Sequence, residues 1–582
     1  MSAGPDGSMK STGVAEFLGK RGIQAPQLVV LTPDIDEYSL LAYQPKGEIR
    51  ASERCIANRD SQDAIRKGTR LLQRAAEQRI ALLVTPEYSL PWRALIDSLR
   101  AGHGPADGCL WALGCESMTV AELENLQSQV SGHAIVASEL LTPASTLSKT
   151  FLDPLAYVFK STCDGGGTCT VILIQFKTHP SVDESHIEVA NLIRGSTVYV
   201  FGTKGDTIRL VSFICSDVLN VNDQLLKDLY DGSLILHIQL NPKPREIAYR
   251  DYRRRIFSWA KDRTELLCLN WAAGIQCQNE ETGASEKWNN IGGSAWYLKP
   301  TKFDSSDLQI TANHRRGLYY TWQSSSKCNI LFLNYEPGIY QFITTKVWHH
   351  GVPQVQSKQT GPRLQSMGRW DDQASDWAIQ ASCDDGFDAL ISPWNAQLAD
   401  LFRVYNKCPV ATERLLALVQ GNASSGDWHS VRELASFTIE ESEHIRRITF
   451  AQDTDPDCVL LRQRQIQHFV TAQQAFQGFT QWPPELEDLQ FGWKFEWSRD
   501  HPHCNLLSQA GKYATLVYCT DNTPHQRLRQ IGDALRQWLL GSSDSPNRLV
   551  ILFREAGHLD IWRHPESKRF DKPAGESPAN FT

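Results

Sequence analysis

Short apolar runs alternate with helix-like stretches from about Gln27 to Glu336. An apolar run of about four to eight residues is typical of a buried strand, and strands that alternate with helices build layered α/β or α+β folds. One helix is predicted from Asp60 to Arg79, where apolar residues recur at helical spacing. Strands are predicted at 28–31, 81–87, 111–114, 171–177, 196–201, 210–217, 234–238, 266–270 and 293–298.

Three of these runs carry a chemically reactive side chain at the C-terminal end. Glu87 and Lys177 each close an apolar run, and Cys215 follows the apolar part of a third. A thiolate is a nucleophile, a carboxylate takes up its proton, and a fixed ammonium stabilises developing negative charge. The sequence therefore predicts nucleophilic attack on a carbon–nitrogen bond. The backbone N–H of Ser216, directly after the nucleophile, is the predicted second donor to that charge.

The composition is that of an ordinary globular chain. The 582 residues carry a net charge of −7 and are 41% hydrophobic. No apolar run reaches the roughly eighteen residues of a spanning helix, and the polar start lacks the apolar core of a secretion signal. We therefore expect a cytoplasmic, mildly acidic protein with no affinity for membranes or nucleic acid.

The chain contains 14 cysteines and no Cys-x-x-Cys pair. It is large enough to fold without disulfides, so we expect most of these cysteines to be reduced thiols. We expect neither a cofactor nor a metal ion.

Composition divides the chain into four parts. Residues 1–20 are predicted to be a disordered tail, and residues 21–345 the catalytic domain. Residues 346–385 are rich in Gly, Pro, Gln, Ser and Asp, which is typical of a linker. Residues 386–582 are predicted to form a smaller, mainly helical mixed α/β domain without a visible catalytic set. Its helices are predicted at 411–420, 431–448 and 462–479, and a strand–helix–strand unit is predicted at 514–553.

The chain from Gln27 to about Pro300 resembles the nitrilase superfamily of carbon–nitrogen hydrolases. That family carries a Glu-Lys-Cys triad in this order, with an Ile-Cys-x-Asp run at the nucleophile and Asn-x-x-Gly and Gly-x-Ser strand ends. The resemblance covers about half of the chain and rests on these segments: Pro86-Glu87-Tyr88, Lys177-Thr178-His179-Pro180, Ile214-Cys215-Ser216-Asp217, Trp259-Ala260-Lys261-Asp262, Asn270-Trp271-Ala272-Ala273-Gly274 and Gly292-Gly293-Ser294.

The resemblance implies a fold, an assembly and one more site residue. The implied fold is an α-β-β-α sandwich, usually paired across a two-fold axis, so we expect a homo-oligomer of two or more copies. The family also has a second glutamate after the lysine, for which Glu184 is the best match and Glu188 the runner-up. The long segment after Glu87 and the Cys-Gly-rich hairpin before Lys177 depart from the family pattern, so its substrates do not carry over.

The predicted function is thiol-dependent hydrolysis of a non-peptide carbon–nitrogen bond in a small amide, ureide or nitrile. Cys215 forms a thioester, Glu87 moves the protons, and Lys177 stabilises the tetrahedral charge. Acyl transfer from the same thioester to an amine stays open.

A hypothesis of a different class is a nitrilase-like oligomerising or sensing module whose region 386–582 binds a protein partner. Nitrilase-like domains occur in bacterial antiviral defence systems. The C-terminal region lacks the Ser-Gly-Gly-x-Asp-Ser loop expected of a glutamine-dependent NAD synthetase.

Overall fold

The chain forms two compact units, Met1–Asp304 with Ala312–Asp384, and Ser305–Thr311 with Asp385–Thr582. This computed structural model describes residues 9–562 apart from 33–36, 142–148, 183–186, 203–207, 230, 245, 260–263, 289–292, 300–302, 304–305, 324–327, 346–360, 381–391, 395–396, 422–455, 499, 521–522 and 541–545.

The first unit is built on β-sheets. Its strands are β1 (Lys10–Gly13), β2 (Glu37–Gln44), β3 (Glu48–Ala51), β4 (Ile56–Asn58), β5 (Leu82–Leu90), β6 (Leu110–Cys115), β7 (Ile135–Ser138), β8 (Pro154–Thr162), β9 (Thr168–Phe176), β10 (Thr197–Phe201), β11 (Arg209–Ile214), β12 (Ser233–Ile238), β13 (Thr264–Leu269), β14 (Ile275–Asn279), β15 (Ser285–Trp288), β16 (Ala295–Leu298), β17 (Leu318–Gln323), β18 (Cys328–Leu333), β19 (Gly338–Thr345), β20 (Arg363–Asp371) and β21 (Asp376–Gln380).

The helices up to residue 314 are α1 (Val14–Gly19), α2 (Ser61–Glu77), α3 (Trp92–Arg100), α4 (Val120–Gln129), α5 (Ile187–Asn191), α6 (Asp223–Asp228), α7 (Ile247–Trp259) and α8 (Asp307–His314). The helix predicted from Asp60 is α2, which begins where the Asp60 side chain accepts a hydrogen bond from the Asp63 N–H. Its apolar face contains Leu71 and Leu72, which are buried in the core beside the nine-stranded sheet described next.

Two large sheets face each other. One has the order β1-β10-β11-β12-β13-β16-β18-β17, and the other has the order β21-β20-β19-β2-β5-β6-β8-β9-β7. Gln175 on β9 donates to the carbonyl of Ser212 on β11 at 3.0 Å, and the rings of Trp296 on β16 and Phe342 on β19 lie 5.5 Å apart. A smaller sheet has the order β15-β14-β3-β4.

Helices cover the outer faces of both large sheets. Side chains alternate between the two faces of a strand, so Trp296 faces the other sheet while its neighbour Tyr297 meets Phe257 of α7. Helices α2 and α3 share a buried core with β5 and β6 on the other side. The first unit is therefore an α-β-β-α sandwich, which confirms the predicted fold.

The second unit is smaller and has one five-stranded sheet. Its strands, in sheet order, are β22 (Trp493–Phe495), β23 (Leu506–Ser508), β24 (Tyr513–Tyr518), β25 (Leu549–Glu555) and β26 (His558–Trp562). Its further helices are α9 (Ala399–Lys407), α10 (Pro409–Val419), α11 (Pro456–Gln477) and α12 (His525–Leu540). Strands β24 and β25 are parallel and joined by α12, as the strand–helix–strand pattern predicts.

The prediction of a disordered tail over residues 1–20 is wrong for residues 10–19. Strand β1 pairs in parallel with β10, with Lys10 opposite Thr197. Helix α1 follows at once and buries Val14 and Leu18. A few apolar side chains are enough to keep this segment ordered, because the backbone N–H and C=O groups of β1 form hydrogen bonds with β10.

The prediction of a linker over residues 346–385 is wrong where the structure describes it as strand. Strands β20 and β21 extend the nine-stranded sheet beyond β19. Leu364, Met367 and Trp377 are buried there. A strand at a sheet edge has one well-covered face and needs few apolar residues, so its polar composition resembled that of a linker.

One smaller difference concerns an individual element. The strand predicted at 28–31 is instead a 3₁₀ turn, Val29–Leu31. The predicted helix 431–448 lies outside the described residues. Cys163 and Cys169 form a disulfide at the base of the β8–β9 turn, while ten other described cysteines form no disulfide. Among the described helices, none has the length and apolar character needed to cross a membrane.

Candidate active site

Cys215 lies where a strand meets a tight turn. Strand β11 ends at Ile214, and the 3₁₀ turn Cys215–Asn220 begins at the thiol-bearing residue. The Cys215 backbone has a φ of +40°, in the left-handed region that non-glycine residues seldom adopt. His237 supports this turn, because its Nε2 lies 3.0 Å from the Cys215 carbonyl oxygen. Burial lowers the pKa of His237 to about 3, so the neutral ring donates through Nε2–H.

Glu87 projects from an irregularity in β5. The register between β5 and β6 shifts after Thr85, and Tyr88 has a φ of +56°. Gly114 on β6 makes room for this irregularity, since a Cβ there would lie 2.1 Å from the Pro86 carbonyl oxygen. The bulged backbone turns the Glu87 side chain into the space between the two sheets, where it is only 1% exposed.

Both ends of Glu87 are held by distant segments. Its carbonyl accepts from the indole N–H of Trp271 at 2.8 Å. Its carboxylate accepts from the Leu240 N–H at 2.5 Å through Oε2 and from Lys177 Nζ at 2.7 Å through Oε1. Glu87 therefore has one position, set by two contacts at its carboxylate and one at its backbone carbonyl, all with residues far away in the sequence.

The Lys177 ammonium is fully buried among acidic groups. Nζ lies 2.7 Å from Glu87 Oε1, 2.7 Å and 2.8 Å from the two Glu188 oxygens, and 3.6 Å from Asp153 Oδ2. It also donates to Ser181 Oγ at 3.1 Å. The oxygens of the three carboxyls lie within 4.8 Å of one another, a donor set that suits a hard cation. Because the ammonium lies against all three, the cluster already has its positive charge.

Asp217 joins the loop after the lysine to the turn of the cysteine. Its Oδ1 accepts from the Thr178 N–H at 2.8 Å, the Thr178 hydroxyl at 2.8 Å and the His179 N–H at 2.9 Å. Ser216 adds a bond in the opposite direction, from its hydroxyl to the His179 carbonyl at 2.6 Å. Asp217 and Ser216 therefore fix the segment after Lys177 relative to the turn that begins at Cys215.

Burial controls the charges at this site. It raises the pKa of Glu87, while the charge of Lys177 and the hydrogen bond from its ammonium oppose this shift. Burial alone would lower the pKa of Lys177, but the Glu188 and Glu87 charges outweigh it and raise that pKa. Burial and the Glu87 charge raise the pKa of Cys215. At rest the site therefore holds an ammonium among carboxyls and a neutral thiol.

Two hydroxyl groups lie against the sulfur. Ser181 Oγ is 3.7 Å and the Tyr249 hydroxyl 3.8 Å from Cys215 Sγ. Sequence reasoning identified neither residue. Ser181 lies four residues after Lys177 in an unremarkable loop, and Tyr249 comes from the first turn of α7, so only the tertiary fold brings it to the sulfur.

The predicted site residues are placed as follows. Glu87 and Lys177 are in direct contact, and Cys215 reaches Lys177 through the Ser181 hydroxyl. Ser216 follows the nucleophile at the start of its turn. Glu184, the preferred second glutamate, lies outside the described residues.

The runner-up, Glu188, lies against the ammonium. It also accepts from the Tyr88 hydroxyl at 2.9 Å and from the Ser181 N–H at 2.6 Å. Its spacing of 188 − 177 = 11 residues from the lysine was the only signal in the sequence, and Glu184 lies nearer to the lysine.

No protein-family model and no curated protein matches this sequence. Several solved structures are similar to it. A variant of the Nesterenkonia AN1 amidase, from the nitrilase superfamily, is 12% identical over 54% of this chain and 92% of the amidase, with a TM-score of 0.28. A CN-hydrolase superfamily protein from Xanthomonas campestris is 12% identical over 45% of this chain and 85% of that protein, with a TM-score of 0.24.

Another similar structure is the glutamine-dependent NAD+ synthetase from Acinetobacter baumannii. It is 11% identical over 55% of this chain, with a TM-score of 0.27, and the match spans about half (49%) of the synthetase. Over about half of its length, the chain is thus similar to an amidase of the nitrilase superfamily and to a CN-hydrolase superfamily protein.

Proposed function

We propose that the first unit is a thiol-dependent hydrolase of a non-peptide carbon–nitrogen bond in a small amide, ureide or nitrile. The observation that carries this proposal is the position of the buried Lys177 ammonium. It lies 2.7 Å from Glu87 Oε1 and contacts, through the Ser181 hydroxyl, the sulfur of Cys215. A base, a cation and a nucleophile thus share one water-poor site, where electrostatic interactions are strong.

The first half-reaction breaks the carbon–nitrogen bond. Glu87 takes the proton of the Cys215 thiol as the sulfur attacks the substrate carbon. The Lys177 ammonium and the Ser216 backbone N–H stabilise the negative charge on the substrate oxygen or nitrogen. For an amide, Glu87 then gives its proton to the nitrogen, and ammonia or an amine leaves a thioester on Cys215.

The second half-reaction removes the acyl group. Glu87 takes a proton from water, the hydroxide attacks the thioester carbon, and the thiolate leaves and is reprotonated by Glu87. The carboxylic acid departs, and the site returns to its resting state. An amine in place of water would turn the same step into acyl transfer.

The test is the release of ammonia from a panel of small amides, ureides and nitriles by the full chain. Cys215→Ala is expected to reduce release to the uncatalysed background, because no thioester can form. Cys55→Ala, at a partly exposed thiol, is the matched control and should keep full activity. Unchanged release by Cys215→Ala would overturn the mechanism.

Two further measurements separate the remaining alternatives. Mass spectrometry of the Cys215 peptide, after the parent chain is quenched with acid during turnover, should detect the acyl adduct, because acid stops deacylation and preserves the thioester. Hydroxylamine added to the reaction should yield a hydroxamate if the thioester accepts amines. A transferase would be favoured over a hydrolase if hydroxamate forms when hydroxylamine is present and no carboxylic acid forms when hydroxylamine is left out.

The alternative function is an assembly or sensing module that binds a protein partner through the second unit. The observation behind it is that residues 385–582, with Ser305–Thr311, form their own compact unit with their own sheet. Size-exclusion chromatography of the full chain tests the expected homo-oligomer. An active monomer that needs no partner would count against the assembly role.

A further inference from the structure

The sulfur of Cys215 is not hydrogen-bonded to the carboxylate that is to deprotonate it. In the described part of the chain its polar neighbours are two hydroxyls, Ser181 Oγ at 3.7 Å and the Tyr249 hydroxyl at 3.8 Å. Both distances lie within the range of hydrogen bonds to sulfur, whose larger radius lengthens them. Both groups are O–H donors, which suit a thiolate better than a thiol.

The Ser181 hydroxyl is oriented by its other partners. Lys177 Nζ donates to its oxygen at 3.1 Å, so the Ser181 hydrogen turns toward one of two acceptors, Ser216 Oγ at 3.3 Å or Cys215 Sγ at 3.7 Å, and a charged thiolate is the stronger acceptor of the two. The Ser181 N–H donates to Glu188 Oε2 at 2.6 Å, which fixes the backbone of this residue. The hydroxyl therefore transmits the positive charge of the ammonium toward the sulfur, because its oxygen is polarised by Nζ and its hydrogen points away from it.

Tyr249 approaches the sulfur from another element. It lies in the first turn of α7, is 8% exposed, and stacks beside the His237 ring, with centroids 6.2 Å apart and planes at 23°. The same His237 holds the Cys215 carbonyl at 3.0 Å. Helix α7 is thus positioned against the nucleophile by packing as well as by the hydroxyl contact.

A thiolate in such a site needs donors. Cys215 is 2% exposed, and an unpaired buried anion is strongly disfavoured. Lys177 shares its charge among Glu87, Glu188 and Asp153. Hydrogen-bond donors that contact the sulfur directly are the remaining way to stabilise a transient negative charge there.

We propose that Ser181 and Tyr249 are additional catalytic residues that stabilise the thiolate of Cys215 by donating two O–H···S hydrogen bonds as Glu87 removes the thiol proton. The proton passes from Sγ to the Glu87 carboxylate, and the two hydroxyls keep their own protons. This inference rests on the proposed function for the identity of the base, but formation of the thiolate can be measured without any substrate.

The experiment measures the pH dependence of alkylation of Cys215 by iodoacetamide in the full chain. The Cys215 peptide is followed by mass spectrometry, because other free cysteines also react. The midpoint of the rate against pH reports the thiol pKa and does not depend on how slowly the reagent enters. Ser181→Ala and Tyr249→Phe are each expected to raise this midpoint by about one pH unit, a tenfold smaller thiolate-to-thiol ratio.

The matched control is Tyr252→Phe. Tyr252 lies on the same helix, is 2% exposed, and its hydroxyl has no hydrogen-bond partner among the described residues. This variant should leave the midpoint unchanged. Ser181→Thr keeps a hydroxyl at the same position and should keep most of the effect, which separates loss of the hydrogen bond from disturbance of the loop.

Several outcomes overturn the inference. The inference fails if neither Ser181→Ala nor Tyr249→Phe raises the midpoint of the alkylation rate. It also fails if Tyr252→Phe raises that midpoint equally. Absence of Cys215 alkylation at every pH at which other cysteines react is another. A midpoint shift in a chain that releases no ammonia from any amide would support this inference and refute the hydrolase instead.

Discussion

Replacing the Lys177 ammonium by the neutral, similarly long side chain of methionine tests the charge balance of the site. The ammonium is fully buried and lies 2.7 Å from Glu87 and from Glu188, with Asp153 at 3.6 Å. In Lys177→Met the three carboxyls stay buried while their cation is gone. Removing one partner of a buried ion pair costs about 3–5 kcal/mol, because the remaining charge is uncompensated. We expect a loss of that size in the free energy of unfolding near neutral pH.

The loss should depend on pH with a definite sign. Without the ammonium, burial and mutual repulsion raise the folded-state pKa values of the carboxyls above their unfolded values. The folded variant then binds more protons than the unfolded chain, so its stability relative to the parent falls as pH rises. One pKa unit is worth about 1.4 kcal/mol, so 3–5 kcal/mol corresponds to roughly two to four units summed over the carboxyls. Below about pH 4 the carboxyls are protonated in both states, and most of the loss disappears.

The assay is urea unfolding, monitored by hydrogen–deuterium exchange. Exchange is measured on peptides from β5 and β9, so the readout reports on the first unit alone. It is run near pH 7.5 and near pH 4.5 on the parent chain and the variant. Lys243→Met, at an exposed lysine 3.9 Å from Glu246, is the control and should cost less than about 0.5 kcal/mol. A loss below about 1 kcal/mol for Lys177→Met, or an equal loss at both pH values, would refute the reasoning.

Three further outcomes are expected. Gly114→Ala would place a Cβ 2.1 Å from the Pro86 carbonyl oxygen. It should therefore destabilise the first unit by about 2 kcal/mol or more and lower turnover. Gly13→Ala is the control, because the space around Gly13 is open, and it should leave thermal unfolding unchanged. Equal stability of the two variants would contradict this. Because burial raises the pKa of Glu87 above the ordinary 4.5, the acid limb of kcat/KM for amide hydrolysis should lie above pH 4.5; a limb at or below that value would show that another group is the base. Glu188→Gln keeps the shape of the side chain but removes the negative charge next to the Lys177 ammonium. It should lower kcat by about tenfold to a hundredfold and change KM little. An unchanged kcat would show that Glu188 has no role in turnover.

Much of the first unit was predictable because burial imposes a pattern on the chain. The apolar runs around β5, β9, β11, β12 and β13 are strands buried between layers, and such strands read as continuous apolar segments. Strands β20 and β21 were not predicted, since β21 is the edge of its sheet and β20 lies next to it, where strands share the polar composition of loops.

The positions of Glu87, Lys177 and Cys215 were predictable for a local reason. Each closes or follows an apolar run, and the facing of the two large sheets brings these positions together from β5 and β9 of one sheet and β11 of the other. The other residues of the site were not predictable from the sequence, because their contacts join residues that lie far apart along the chain. Tyr249 is 249 − 215 = 34 residues from the sulfur that its hydroxyl touches, on a different element.

The amino-acid order thus specified which groups are available for chemistry and, through apolar periodicity, the strands that carry them. The choice of Glu188 as a partner of the ammonium, the left-handed backbone of Cys215 and the two hydroxyls at its sulfur arose only from packing of the two sheets and α7. The reason is physical: periodicity records whether a residue is buried, whereas the identity of its neighbours depends on how separate elements are packed together.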